Sequence, residues 1–213
     1  MSCKQKANKS ELTTEVPKEN LEQPNLIICK KQSENGIEFE TCLKEYDSFI
    51  LKSSKGEILY QNDNNPSEYI FTDFNEDGFS DIVLHFMTNV PDVNEILIFN
   101  PELKSFVEIE NFSSFPASKK IEETELYYSY HRSGCADSNW DSDLYYLEKS
   151  RAIKIGNIHV LECDNENENG IYFYRVNGDK KKQLEYIPIE NKNFENKWEF
   201  IEKYWTENYH KFE

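Results

Sequence analysis

The chain is cut into short runs rich in β-branched and aromatic residues, each closed by Gly, Asn, Asp, Ser or Pro, and this rhythm confines it to a few antiparallel architectures. Runs at 26–31 and 37–43 flank Asn35-Gly36, runs at 48–52 and 57–61 flank Lys55-Gly56, and runs at 95–99 and 106–109 flank Asn100-Pro101. Runs so joined read as β-hairpins. Further β-rich stretches cover 68–74, 81–87, 125–131, 144–148, 153–163 and 171–176. Spacing of this kind predicts a mainly β fold, an antiparallel β-sandwich or open barrel. The end of the chain departs from it. Phe194, Trp198, Ile201 and Trp205 recur at intervals of 4, 3 and 4, the stripe of one helix face, so one C-terminal α-helix is expected over about 194–211 with that stripe in the core.

The first hairpin also sorts the cysteines. With Asn35-Gly36 as a two-residue turn, Cys29 stands opposite Cys42 and Lys31 opposite Glu40. Counted outward from Glu34 and Ile37, the Cys29/Cys42 pair is non-hydrogen-bonded, with Cα atoms about 4.5 Å apart, within disulfide reach. Cys135 and Cys163 are then left to each other, and Cys3 stands alone in a polar leader. Residue type by itself is also compatible with reduced cysteines of a cytosolic protein.

A length of 213 residues accommodates one sizeable core, and the simplest division is a leader at 1–25 and a single β domain at 26–213. The leader is rich in Lys, Glu, Asn and Ser with few apolar groups, the composition of a tether. With 40 acids against 24 bases the net charge is -16. That balance argues against nucleic acid, which needs a basic stripe, and suits a basic partner or free cations. Aromatics at 14% exclude a disordered chain. No apolar stretch reaches the roughly 18 residues of a membrane-spanning helix.

One loop carries a metal signal. Asp73-Phe74-Asn75-Glu76-Asp77-Gly78-Phe79-Ser80-Asp81 places oxygen side chains at positions 1, 3, 5 and 9, with Gly78 at 6. Alternate residues of a tight turn converge on one point, and the Phe79 carbonyl at position 7 adds a ligand, so the spacing suits Ca²⁺, which takes six to eight hard oxygens. Position 12, where a helix-loop-helix site has Glu, is Leu84 within Ile82-Val83-Leu84, so the loop is expected to open into a strand. An Asp/Asn/Gly surface turn without metal is the plainer reading. The residues around the loop resemble the FG-GAP-type calcium loop, in which an Asp-x-Asn-x-Asp-Gly-x-x-Asp turn joins two strands. Only one good copy is present, which argues against a propeller. Weaker echoes at 137–143 and 165–170 read as solvated turns.

Candidate chemistry is otherwise sparse. The segment 127–137 gathers Tyr127, Tyr128, Tyr130, His131, Arg132, Ser133, Gly134, Cys135 and Asp137, but a thiol nucleophile at Cys135 with His131 as base competes with the disulfide. The four His, at 85, 131, 159 and 210, lack zinc spacing, and seven Gly in the whole chain form no phosphate loop. A β-sandwich with a calcium turn in its first half and Ser133-Gly134-Cys135-Ala136-Asp137 in its second is similar to the periplasmic lysozyme-inhibitor and immunity-protein group. The loop of that group reads Ser-Gly-x-x-Tyr, and Asp137 stands here at the tyrosine position. Met1-Ser2-Cys3 followed by Lys4, Lys6 and Lys9 resembles the lipidation site of a bacterial lipoprotein. Together the resemblances imply a non-catalytic, calcium-stabilised lipoprotein of the periplasm or cell surface, held to the membrane only through Cys3. They further imply a protein partner met by Ser133, Gly134 and Asp137, a basic lysozyme-like hydrolase. The alternative is a glycan-binding or hydrolytic envelope protein, marked by aromatics and convergent carboxylates in a cleft.

Overall fold

The structure, a computed structural model, describes residues 26–212; the expected anchor at Cys3 and the tether lie outside the described residues. Three antiparallel sheets and one helix follow one another along the chain. The first sheet contains β1 (Ile28–Glu34), β2 (Ile37–Lys44), β3 (Ser48–Ser53) and β4 (Ile58–Asn62), in that order. The second contains β5 (Glu68–Thr72), β6 (Asp81–Phe86), β7 (Val93–Asn100) and β8 (Ser105–Glu108). The third is built from β9 (Lys119–Lys120), β10 (Leu126–Tyr128), β11 (His131–Gly134), β12 (Asn139–Glu148), β13 (Arg151–Leu161), β14 (Gly170–Asn177) and β15 (Lys180–Pro188). Its order is β15-β14-β13-β12-β10-β9, with β11 also on β12. Helix α1 (Lys197–Asn208) comes last. The fold is mainly β and none of the sheets closes into a barrel.

The first hairpin forms in the predicted register. Asn35 and Gly36 have φ of 54° and 73°, the left-handed pair a two-residue turn needs to match strand twist. Cys29 opposes Cys42 with Cα atoms 4.0 Å apart, and the two are disulfide-bonded. Lys31 opposes Glu40, yet the ion partner of Glu40 is Lys52, 3.4 Å away on β3.

The sheets are layered by their buried side chains. Phe39, Phe49 and Leu51 of the first sheet pack on Ile82, Leu84 and Leu97 of the second. The opposite face of the second sheet, carrying Val83 and Ile96, meets Tyr127 and Tyr145 of the third across Phe112 and Phe115. The far face of the third sheet, with Trp140, Leu144, Ile158 and Phe173, packs on Ile201 and Trp205 of the helix. β6 is therefore covered on both faces, which is why Ile82-Val83-Leu84 reads as an unbroken apolar run rather than an alternating one.

Four expectations are corrected. The helix begins at Lys197 rather than near 194, because the Asn196 side chain accepts the Trp198 N–H at 3.0 Å and caps it there. Trp198 in the first turn is 43% exposed instead of buried with Ile201 and Trp205. The stretch 125–131 is two strands, since Tyr130 N–H leaves the sheet to bond the Pro116 carbonyl at 2.9 Å. The run 139–143, expected in a solvated turn, opens strand β12.

Candidate functional site

Beyond β11 the chain makes a left-handed turn. Cys135, Ala136 and Asp137 have φ of 52°, 49° and 79°, directly after Gly134 at 121°. Each non-glycine residue in this region costs about 1–2 kcal/mol, so three in succession persist only where surrounding bonds over-determine them. Those bonds are present. The disulfide from Cys135 to Cys163 ties the turn to the segment after β13, with Cα atoms 6.3 Å apart. The Asp137 carboxylate is paired with Lys197 at the helix start and bonded by the Tyr130 hydroxyl, and Arg132 Nε lies 3.4 Å from it. Lys197 also donates to the Tyr130 hydroxyl at 2.7 Å and sits 4.7 Å over the Tyr130 ring. Burial raises the Asp137 carboxyl, but Lys197, Tyr130 and Arg132 outweigh it and hold the group below its ordinary value.

The tip of this turn is free. Arg132 through Ala136 are exposed while Asn139 and Trp140 behind them are buried. Arg132 donates to the Asn89 carbonyl at 3.0 Å, linking the tip to the β6–β7 connection, where Met87 is 76% exposed. The Trp198 ring packs tilted against Tyr130, with centroids 4.2 Å apart. Between these lies a cleft of about 400 Å³, lined among others by His85, Asp92, Asn94 and Lys119. The side chains displayed around this turn are Arg132, Met87 and Trp198. Burial and then Asp137 push the Tyr130 hydroxyl well above its ordinary value.

The oxygen loop lies in the second sheet, between β5 and β6. Asp73 accepts Asp77 N–H at 3.0 Å and Gly78 N–H at 2.9 Å, and Asp77 accepts Phe79 N–H at 2.9 Å. Asp81, fully buried, accepts Phe74 N–H at 2.9 Å and Phe99 N–H at 2.8 Å. Its carboxyl is pushed up to about 6, first by burial and then by Asp77 and Asp73, against the pull of the two N–H groups. Lys120 donates to the Asn75 carbonyl at 2.7 Å, and Asn35 of the first hairpin exchanges two bonds with Ser80, at 2.8 and 2.9 Å. The candidate donor set of three carboxylates, an amide oxygen and the Phe79 carbonyl consists entirely of hard oxygens, the ligand type calcium takes, but the carboxylates of Asp73, Asp77 and Asp81 do not all lie within 4.8 Å of one another. Each carboxylate oxygen has two lone pairs, so an accepted N–H leaves one for a cation. Among the described residues, the one set of three His, Cys, Asp or Glu ligand atoms within 4.8 Å of one another is Cys29, Glu40 and Cys42. Both of those sulfurs are in the disulfide, so the set offers no thiolate.

A third cluster occupies the face of the third sheet turned away from the helix. Asp141 pairs with His159 at 2.9 Å, and the Asn157 amide donates to Asp141 at 3.1 Å and to Asp143 at 2.8 Å. Lys154 Nζ lies 2.6 Å from Asp143. Burial raises the Asp141 carboxyl, but His159, Asn157 and His131 outweigh it and hold the group below its ordinary value.

Comparison with known proteins adds little to this geometry. No protein-family model matches the chain, and no curated protein matches it. A solved structure titled "Structure of a Xanthomonas Type IV Secretion System related protein" is similar at 17% identity and a TM-score of 0.44, covering 76% of this chain and 82% of that one. At that level the likeness carries no function over.

The site residues expected from sequence fall into separate places. Asp73, Asn75, Asp77, Phe79 and Asp81 share one loop, and Ser133, Gly134 and Asp137 share another. Both expected disulfides are formed. Asp137 is turned inward onto Lys197, so it props the turn from beneath while Ser133 and Gly134 are displayed. Sequence reasoning missed Asp141, Asp143, Asn157 and His159. The signal lay in the period of two along Asn139, Asp141 and Asp143 against Trp140, Ser142 and Leu144, which marks a strand with one polar face.

Proposed function

We propose that this chain is a non-catalytic cell-envelope lipoprotein, anchored through Cys3 at the periplasm or cell surface, whose β domain binds a protein partner through the turn at 132–137. The observation that carries this reading is the left-handed turn at Cys135, Ala136 and Asp137, strained in itself, held by a disulfide and an ion pair, and exposed at its tip. Strain retained at a surface loop marks a place where a fixed shape matters, and a prefixed loop binds without the ordering cost a mobile one incurs. An acidic chain of net charge -16 suits a basic partner. The partner class is a cell-wall hydrolase of lysozyme type, with the chain acting as its inhibitor or immunity protein. Pull-down from envelope extract with the mature protein tests this. Capture of a hydrolase that is lost when residues 133–136 are replaced by a flexible Gly/Ser segment is expected; capture indifferent to that replacement would overturn it.

Calcium belongs to the same reading as a structural ion. Asp73, Asn75, Asp77, the Phe79 carbonyl and Asp81 would hold it, neutralising three carboxylates where β5 runs into β6. Melting with calcium and with chelator checks this. A higher melting temperature with calcium, abolished in Asp77→Ala, is expected, and an unchanged one in both would remove the ion from the account.

A further inference from the structure

We propose that the polar face of the third sheet, centred on His159, Tyr172 and Tyr174, is a binding site for an uncharged oligosaccharide, separate from the turn at 132–137.

The sheet register builds the site. His131, Asp141, His159, Tyr172 and Tyr186 oppose one another in sequence across β11 to β15. At ordinary strand spacing this row is about 19 Å long. Asp143, Asn157 and Tyr174 form a second row beside it. Asp141, Asp143 and Asn157 are 9%, 0% and 1% exposed. Burying two carboxylates costs more than packing the same positions with apolar side chains, and neither acid takes part in the turn or the oxygen loop. Their effect is on what lies above them. Asp141 bonds His159 through Nδ1, which orients the ring and leaves Nε2 for a ligand.

The aromatic part is held as firmly. The Tyr172 hydroxyl donates to the Glu168 carbonyl at 2.5 Å and the Tyr186 hydroxyl to the Asn169 carbonyl at 3.1 Å, so these rings cannot fold away. The Tyr172 and Tyr174 rings lie within 5° of parallel with centroids 6.2 Å apart, and both are partly exposed. Lys181 stands 5.6 Å over the Tyr174 ring and donates to Asn157 at 3.3 Å, with N–H groups to spare for a ligand oxygen.

Charge selects the ligand class. On a chain of net charge -16, this face sets Asp141 and Asp143 against Lys154 and Lys181, with Asp164 near His159 and Glu168 near Tyr172 at its edge. A phosphate or a polyanion would meet the two buried carboxylates, and a polycation the two lysines. A neutral polyol meets neither penalty. Its hydroxyls can bond His159 Nε2 and accept from Lys181, and its C–H faces can lie on Tyr172 and on the edge of Tyr174 left beside Lys181.

The test is a heteronuclear NMR titration of the full chain with neutral chitin, cellulose, amylose and mannan oligomers at millimolar concentration, with an anionic alginate oligomer as the charged arm. Shifts at residues 157–159 and 172–174 with at least one neutral oligomer are expected. Tyr174→Ala should weaken that binding about tenfold, the loss of one aromatic contact. Lys181→Ala, at an exposed position, should weaken it several-fold, with the melting temperature measured alongside because the Asn157 oxygen loses its donor. Replacing residues 133–136 should leave it unchanged, which separates this site from the partner-binding turn. No shift at these residues with any neutral oligomer, shifts only with alginate, or binding indifferent to Lys181→Ala would overturn the proposal.

Discussion

Asp81 shows how much one carboxylate can organise. It joins the start of the oxygen loop to the end of β7 through the N–H groups of Phe74 and Phe99, and it has no exposure to water. Asp81→Ala leaves both buried donors unmet, so unfolding measured by denaturant titration with chelator present should lose about 2–3 kcal/mol. Asp81→Asn, which keeps one acceptor oxygen, should lose less. The spacing of the oxygens made Asp81 visible as a ninth-position ligand. Its bond to Phe99 was not legible, because eighteen residues of chain separate the two and only the pairing of β6 with β7 brings them together. Asp137 is the same case in the other loop: its position was readable, but its inward turn onto Lys197 depends on a helix sixty residues away.

Strand β13 and the helix meet at a glycine. A Cβ on Gly156 would lie 2.8 Å from Phe212 Cδ1, 3.1 Å from Leu144 Cβ and 3.1 Å from Trp205 Cη2, so the helix reaches its seat only because that atom is missing. Trp205 is fully buried there and donates to Ser142 at 2.8 Å, while Ser142 donates to the Ser129 carbonyl at 2.6 Å. Gly156→Ala should destabilise by about 1–3 kcal/mol through overpacking, with a shift in tryptophan emission as Trp205 gives way. At this scale hairpins were legible wherever turn chemistry fixes register, as at Asn35-Gly36. The helix was legible as a period of 3.6, yet its buried stripe was overcalled at Trp198. The Asn196 cap puts that residue in the first turn, where it packs against Tyr130 beside the turn at 132–137 rather than in the core.

Three stacked sheets and a helix bury an unusual load of tyrosine. Burial holds the Tyr128 hydroxyl up at about 12 and pushes those of Tyr60, Tyr127, Tyr130, Tyr145 and Tyr204 higher still. Since the folded values lie above the unfolded value of 10.0, the protonated forms stabilise the fold, and that contribution is intact below about pH 10 and lost as pH rises through 12. Tyrosinate absorbance and loss of circular dichroism should therefore rise together in one alkaline transition; ionisation of these tyrosines with the fold intact would contradict it. The layering itself was not legible, because alternation within a strand says which face is apolar and not which sheet covers it. Only the unbroken run Ile82-Val83-Leu84 carried a trace of it. At this scale the central claim is that a rigid turn, and not a catalytic centre, meets the partner. Inhibition kinetics on a panel of lysozyme-type cell-wall hydrolases, comparing the native chain with the variant whose residues 133–136 are Gly/Ser, tests it most directly. The account predicts at least one enzyme slowed by the native chain and released by the variant; equal inhibition by both, or none by either across the panel, would contradict it.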